Sequence, residues 1–135
     1  MLVHRSDFQL RYCDTDRQGH INNAVYASIY ESGRTGLFIE SGLLYMDSRT
    51  APVIVRLELD YVREMNWPGT AQVETVVHRI GNKSFQLRHR VSLNGELVSR
   101  ALCVMAVMDT TTRRAVPLND AWRDVLTRYL DPDFV

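Results

Sequence analysis

No stretch of the 135-residue chain approaches the roughly eighteen consecutive apolar residues of a membrane-spanning helix, and the first ten residues include His4, Arg5 and Asp7. A helical membrane span is excluded, and a soluble, cytoplasmic protein is expected. Charge of one sign is absent as well. Sixteen Lys and Arg balance sixteen Asp and Glu with no basic block or stripe, so the electrostatic footprint of a nucleic-acid binder is missing. Cysteine is scarce: Cys13 and Cys103 make no disulfide framework, and both fall in runs that read as buried strand, where reduced, non-catalytic thiols are expected. The four histidines, at positions 4, 20, 78 and 89, lack close metal-ligand spacing, and no metal is expected. Repeats, linkers and low-complexity runs are missing too. The chain suffices for one domain over residues 1–135, burying roughly two thirds of its unfolded surface.

What is present is organised around one stretch. Phe8, Leu10 and Tyr12 alternate with Gln9 and Arg11 as a strand would, leading into Asp14-Thr-Asp16-Arg-Gln-Gly19, a turn composition closed by a glycine free to take positive φ. Asn22 and Asn23 are good helix caps, and Ala24 to Leu37 continues without proline for about four turns. Its apolar side, Ile21, Val25, Ile29 and Leu37 beside Tyr26 and Tyr30, is interleaved with Ala24, Ala27, Ser28, Gly33 and Gly36. These glycines cost helix stability, about 1 kcal/mol each, unless close packing against a sheet returns it. Leu43 to Ala51 is aperiodic, a connection with room for one short helical turn.

Strand patterns fill the rest. Residues 53, 55, 57, 59 and 61 are apolar or aromatic while 56, 58 and 60 are charged, predicting one core face and one wet face. After the Asn66-Trp-Pro-Gly69 turn, a third strand runs from Ala71 to His78, and a fourth from Phe85 to Leu93 ends at Asn94-Gly95, a strong hairpin signal that requires an antiparallel fifth strand. Leu97 to Met108 is nearly all apolar, as in a central strand covered on both faces. A turn at Asp109 to Arg114 and a cap at Asn119 introduce a last short helix through Tyr129. The class is α+β: a mostly antiparallel sheet whose apolar face only the long helix is large enough to cover, and whose other face suits pairing with a second copy.

The spaced motif Tyr12-x-Asp14-Thr15-Asp16-x-x-Gly19-His20-Ile21-Asn22-Asn23-x-x-Tyr26-x-x-x-x-Glu31-x-x-Arg34 closely resembles that of hotdog-fold acyl-CoA thioesterases, nearest the 4-hydroxybenzoyl-CoA thioesterase type. The order of elements agrees along nearly the whole chain, including Asp109-x-x-Thr112-Arg113. The resemblance implies a five-stranded antiparallel sheet wrapped around one long central helix. It implies a homodimer or homotetramer with a continuous sheet and an active site at the subunit interface. It implies Asp16 as nucleophile or general base, the Asn23 backbone N–H as polariser of the thioester carbonyl, acyl-CoA as substrate and no cofactor. Elementary chemistry agrees: a carboxylate with a reference pKa near 3.9 is ionised at neutral pH, and a helix N-terminus stabilises an oxyanion by roughly 3 kcal/mol per donor.

Around that pair the motif places Gly19, Asn22 and Tyr26 at the substrate, and His20 against substrate or Asp16. The Gly-His-x-Asn-Asn variant departs from 4-hydroxybenzoyl-CoA thioesterases, which have apolar or aromatic residues there, and looks more like the aliphatic acyl branch, relatives acting on acyl carriers included. Asp14 is expected to bond backbone amides. Glu31 either pairs with Arg34 or lines the acyl pocket. Gly81-Asn-Lys83-Ser84 resembles the segment lining the pantetheine channel, and Lys83, Arg88, Arg90, Arg113 and Arg114 are cations available to phosphates. Two alternatives stand beside hydrolysis of acyl-CoA: hydrolysis of acyl carrier protein thioesters, and acyl-CoA binding without catalysis.

Overall fold

The computed structural model describes residues 1–135. In chain order it contains β1 (His4–Gln9), a 3-10 turn at Tyr12–Asp14, α1 (Val25–Glu40), a second 3-10 turn at Leu43–Tyr45, β2 (Thr50–Tyr61), β3 (Thr70–Ile80), β4 (Ser84–Leu93), β5 (Glu96–Asp109) and α2 (Asp120–Arg128). The strands make one antiparallel sheet in the order β1-β3-β4-β5-β2. The β4–β5 hairpin turns on Asn94 and Gly95, at φ 54 and 80, the two left-handed residues of a type I′ turn. The Asp109 turn also forms, its carboxylate accepting the N–H groups of Thr111 and Thr112 at 2.8 Å each. Asn119 caps α2 by accepting Trp122 N–H at 2.9 Å.

The strands after α1 do not pair in chain order. β2 lies at the far edge against β5, with Leu57 opposite Cys103 and Leu59 opposite Ala101, and residues 62–69 cross from that edge to β3. Nor does β2 keep one phase. An extra residue, Val55, is inserted between the pairs Ile54–Met105 and Arg56–Val104, so Val53 shares a face with Ala106 while Leu57 and Leu59 share the opposite face with the core. The expected single alternation from 53 to 61 is thus broken at 55, which is exposed.

One face of the sheet is packed by both helices, in two clusters. Tyr26, Ile29 and Tyr30 of α1 meet Val73, Val91 and Ala101, and Leu37 and Phe38 join Trp122, Val125 and Leu126 of α2 over Phe85, Leu87 and Cys103. The expectation that the long helix alone covers this face is corrected: the strongly amphipathic α2 supplies a large share. Gly33 explains why α1 can lie so close, since a Cβ there would stand 2.7 Å from Val73 Cγ1. The other face is less covered than the β5 sequence suggests, for Leu102, Val104, Ala106 and Met108 are only half-buried while Cys103, Met105 and Val107 are buried. Of the two cysteines, Cys103 is buried, but Cys13 is exposed in the 3-10 turn, because β1 stops at Gln9. Tyr12, expected on the core face of that strand, is exposed and stacks on Trp67 at 5.4 Å. No helix is long and apolar enough to cross a membrane.

Candidate active site

The acidic turn is a closed hairpin. Thr15 bridges Ile21, Asp16 N–H donates to the His20 carbonyl at 2.8 Å, and Gly19, at φ 84, occupies the left-handed corner where a side chain would be strained. Within it the two carboxylates have different tasks. Asp14 is buried and accepts Arg11 N–H at 2.9 Å and the Arg11 guanidinium at 2.8 Å, which holds its carboxyl below the usual range. It therefore fastens the turn to the end of β1. Asp16 is exposed, and only one of its carboxylate oxygens is engaged: Oδ1 accepts Gln18 N–H at 2.8 Å and His20 N–H at 3.1 Å, while Oδ2 has no partner in the chain. The carboxylate is oriented without being neutralised.

The start of α1 lies beside it. Helix formation begins at Val25, one residue later than the caps suggested, and Ala24 rather than either asparagine occupies the cap position. Asn22 still serves the helix start, its side-chain oxygen accepting Ala24 N–H at 3.0 Å and its carbonyl accepting Val25 N–H at 2.9 Å. Tyr26 N–H points to the Asn23 carbonyl at 3.4 Å. The Asn23 N–H at this end makes no hydrogen bond within the chain.

Asp16, His20, Asn23 and Tyr26 line one cleft of about 320 Å³, closed on its other side by Tyr61 and residues 62–64. The sequence offered no sign of this second wall. Tyr61 donates its hydroxyl to the Asn23 carbonyl at 3.1 Å and meets Tyr26 edge-on at 4.9 Å. The crossing segment is stitched to the turn by Ile21 N–H to the Met65 carbonyl at 2.8 Å, with Met65 fully buried. Asn66-Trp-Pro-Gly69, just beyond the wall, marks a turn without saying what it packs on. His20 departs from expectation: its backbone, not its ring, bonds Asp16, and the ring Nε2 faces Glu64 at 3.0 Å.

Three other candidates lie elsewhere. Glu31 is absent from this cleft and stands 3.6 Å from Arg34, at the mouth of a separate cavity. Lys83 and Ser84 sit at the turn after β3, whereas the acidic turn adjoins the beginning of β3 through Leu10 N–H and the Gly69 carbonyl. Eleven residues of strand put them roughly 33 Å apart in one chain. A single copy does not bring them together.

Comparison with known proteins agrees with this architecture. Residues 10–126 match the family model described as the thioesterase-like superfamily. Bacillus subtilis YneP, whose name gives acyl-CoA thioesterase as a provisional activity, is 28% identical over 133 residues, covering 96% of each chain. A 1,4-dihydroxy-2-naphthoyl-CoA hydrolase of Synechococcus elongatus is 28% identical over 122 residues, covering 87% of this chain and 90% of that protein. The solved structure of a predicted thioesterase from Bacillus stearothermophilus superposes with a TM-score of 0.88 at 29% identity, over 96% of this chain and 97% of that one. With the family model spanning most of its length, the chain belongs to the thioesterase-like superfamily and is a thioester hydrolase.

Proposed function

We propose that this protein is a cytoplasmic acyl-CoA thioesterase of one hotdog domain, with Asp16 as nucleophile or general base and the Asn23 N–H as oxyanion donor. The observation that carries the reading is the pairing, in one cleft, of a half-engaged carboxylate with an unspent backbone donor at a helix start. With the thioester carbonyl oxygen on the Asn23 N–H, charge developing there meets a fixed donor and the positive end of α1. Asp16 Oδ2 then either attacks the carbonyl carbon, forming an anhydride that water opens, or takes a proton from the water that attacks. In both routes the carbon–sulfur bond breaks and coenzyme A departs as a thiolate, a weak enough base to need little assistance. Tyr61 holds Asn23 from the carbonyl side, Asn22 and Gly19 shape the backbone around the donor, and Tyr26 walls the cleft. His20, turned to Glu64, acts by positioning the crossing segment.

The site is completed by a second copy. β2 is a twelve-residue edge strand whose outer side has no partner in the chain, and Ile54, Val55 and Tyr61 are exposed along it. Two-fold antiparallel pairing through this edge extends the sheet and sets the Thr50 end of one copy beside the Tyr61 end, and hence the Asp16 cleft, of the other. That end of the sheet also holds Lys83, Ser84, Arg113 and Arg114, so the pairing brings toward the cleft the cations one chain keeps remote.

Thiol release from acyl-CoAs, from the same acyl groups on acyl carrier protein, and from their N-acetylcysteamine thioesters tests this reading. Acyl-CoA is expected to give the highest kcat/KM. Faster turnover of the carrier-bound group would transfer the assignment to the carrier, and tight acyl-CoA binding without thiol release would leave a binding protein.

A further inference from the structure

A second cavity, about 450 Å³, lies between α1 and the Thr50 half of β2. Phe38, Leu44, Ile54 and Met105 make it mostly apolar, yet Arg34 lines it as well. Arg34 is only 7% exposed, and none of its five N–H groups makes a hydrogen bond within the chain. The nearest carboxylate, Glu31, stands 3.6 Å from Nη2, beyond hydrogen-bonding distance and largely in solvent. Nη1 is shut off from water with no partner. On the sheet side the charge of Arg34 reaches His89 and Cys103, but neither hydrogen-bonds it: His89 shares Nδ1 with Thr75 Oγ1 at 2.9 Å and keeps a buried Nε2 without a partner, and Cys103 Sγ lies against Met105 Sδ at 3.3 Å. A buried guanidinium without an acceptor is costly, and buried polar groups in folded proteins are almost always met. The requirement here is for an oxygen acceptor brought in with an otherwise apolar group.

We propose that this cavity receives the distal part of the acyl group and that Arg34 is a specificity-determining residue, selecting acyl groups that carry a carboxylate or hydroxyl at that depth, the carboxylate bound more tightly. The proposal rests on the thioesterase reading. The cavity flanks the half of β2 that a two-fold partner's Asp16 cleft would face, so the acyl group passes from one copy's oxyanion donor into the other's cavity. A carboxylate there meets a planar, permanently charged fork of donors, while a plain alkyl end leaves the guanidinium as unsatisfied as before. Glu31 at the mouth then acts as a weak competitor for Arg34 that the acyl carboxylate displaces.

The test compares adipoyl-CoA and sebacoyl-CoA with hexanoyl-CoA and decanoyl-CoA on the wild type, Arg34→Met and Arg34→Lys, with thermal unfolding of each. The wild type should favour the dicarboxylic member of at least one pair by about tenfold or more in kcat/KM. Arg34→Met should abolish that preference while still hydrolysing the alkyl member, and Arg34→Lys should restore part of it. A wild-type preference for the alkyl member of both pairs, or an equal loss on both members in folded Arg34→Met, overturns the proposal. Absence of thiol release from any of the four by wild type would count against the thioesterase reading instead. Calorimetry with monomethyl adipate and monomethyl sebacate against methyl hexanoate and methyl decanoate then decides the cavity alone: binding of the free-carboxylate members that Arg34→Met removes upholds it, and no such binding overturns it.

Discussion

Replacing Asp16 with asparagine separates chemistry from structure in this turn. Asp16 Oδ1 accepts two backbone N–H groups, at 2.8 and 3.1 Å, and an asparagine carbonyl can keep both. Oδ2 has no partner to lose. The structural cost is the difference between a charged and a neutral acceptor in an exposed turn, about 1 kcal/mol or less. With an unfolding entropy of about 2.1 cal/mol/K per residue, 1 kcal/mol corresponds to roughly 3.5 °C in Tm for a chain of this length. The chemical cost is far larger, because the amide can neither attack a thioester nor take a proton from water. General-base contributions alone run to about 10²–10⁴ in rate, or roughly 3–5.5 kcal/mol of barrier. Thiol release at saturating acyl-CoA, beside thermal unfolding of the same preparations, should show kcat down by at least about a hundredfold and Tm within about 4 °C. A variant that keeps kcat within about fivefold of wild type would refute Asp16 as the reacting group. A collapse of Tm in step with kcat would show that the residue holds the turn and nothing more.

Three further outcomes follow from neighbouring contacts. Tyr61→Phe removes the hydroxyl that fixes the Asn23 carbonyl at 3.1 Å; a neutral hydrogen bond is worth about 1 kcal/mol, so kcat should fall about fivefold with little change in KM, and an unchanged kcat would remove Tyr61 from the site. Gly33→Ala places a Cβ 2.7 Å from Val73 Cγ1 and 3.2 Å from Thr75 Oγ1. Overpacking of about 1–3 kcal/mol should outweigh the roughly 1 kcal/mol gain in helix propensity, which a lowered urea midpoint would reveal. Burial, with the Arg34 charge adding to it, pushes the His89 pKa down to about 3 from its ordinary 6.5. The unfolded chain therefore binds this proton first, so the stability tied to a neutral His89 is whole above about pH 6.5 and declines as pH falls toward 3, by up to about 1.4 kcal/mol per pH unit. Urea midpoints at pH 7 and pH 5 should differ less in His89→Gln than in wild type, and an equal difference would contradict a buried neutral histidine.

Local chemistry was legible from the chain alone. The Asp14 to Gly19 turn, the Asn94-Gly95 hairpin, the Asp109 turn and the Asn119 cap each depend on residues a few positions apart, so their composition suffices to predict them. The contrast between the two aspartates was legible only in part: Asp14 was expected to bond backbone amides, yet it accepts one, from Arg11, together with the Arg11 guanidinium, while Asp16 accepts two, from Gln18 and His20. Tertiary structure decided everything that depends on residues brought together from afar. It moved β2 to the edge beside β5, because strand pairing follows packing across the whole sheet and not adjacency in sequence. It inserted Val55 as a bulge that no alternation pattern reveals, since the apolar period continues through it in the sequence. It set Tyr61 against Asn23 across 38 positions and turned the His20 ring to Glu64, giving the cleft its second wall. It also separated Lys83 and Ser84 from Asp16 by the length of β3, a distance that motif spacing does not encode. Arg34 shows the division within one residue: its pairing with Glu31 follows from helical spacing, but its burial without an acceptor exists only because β2 and β5 close over the third turn of α1.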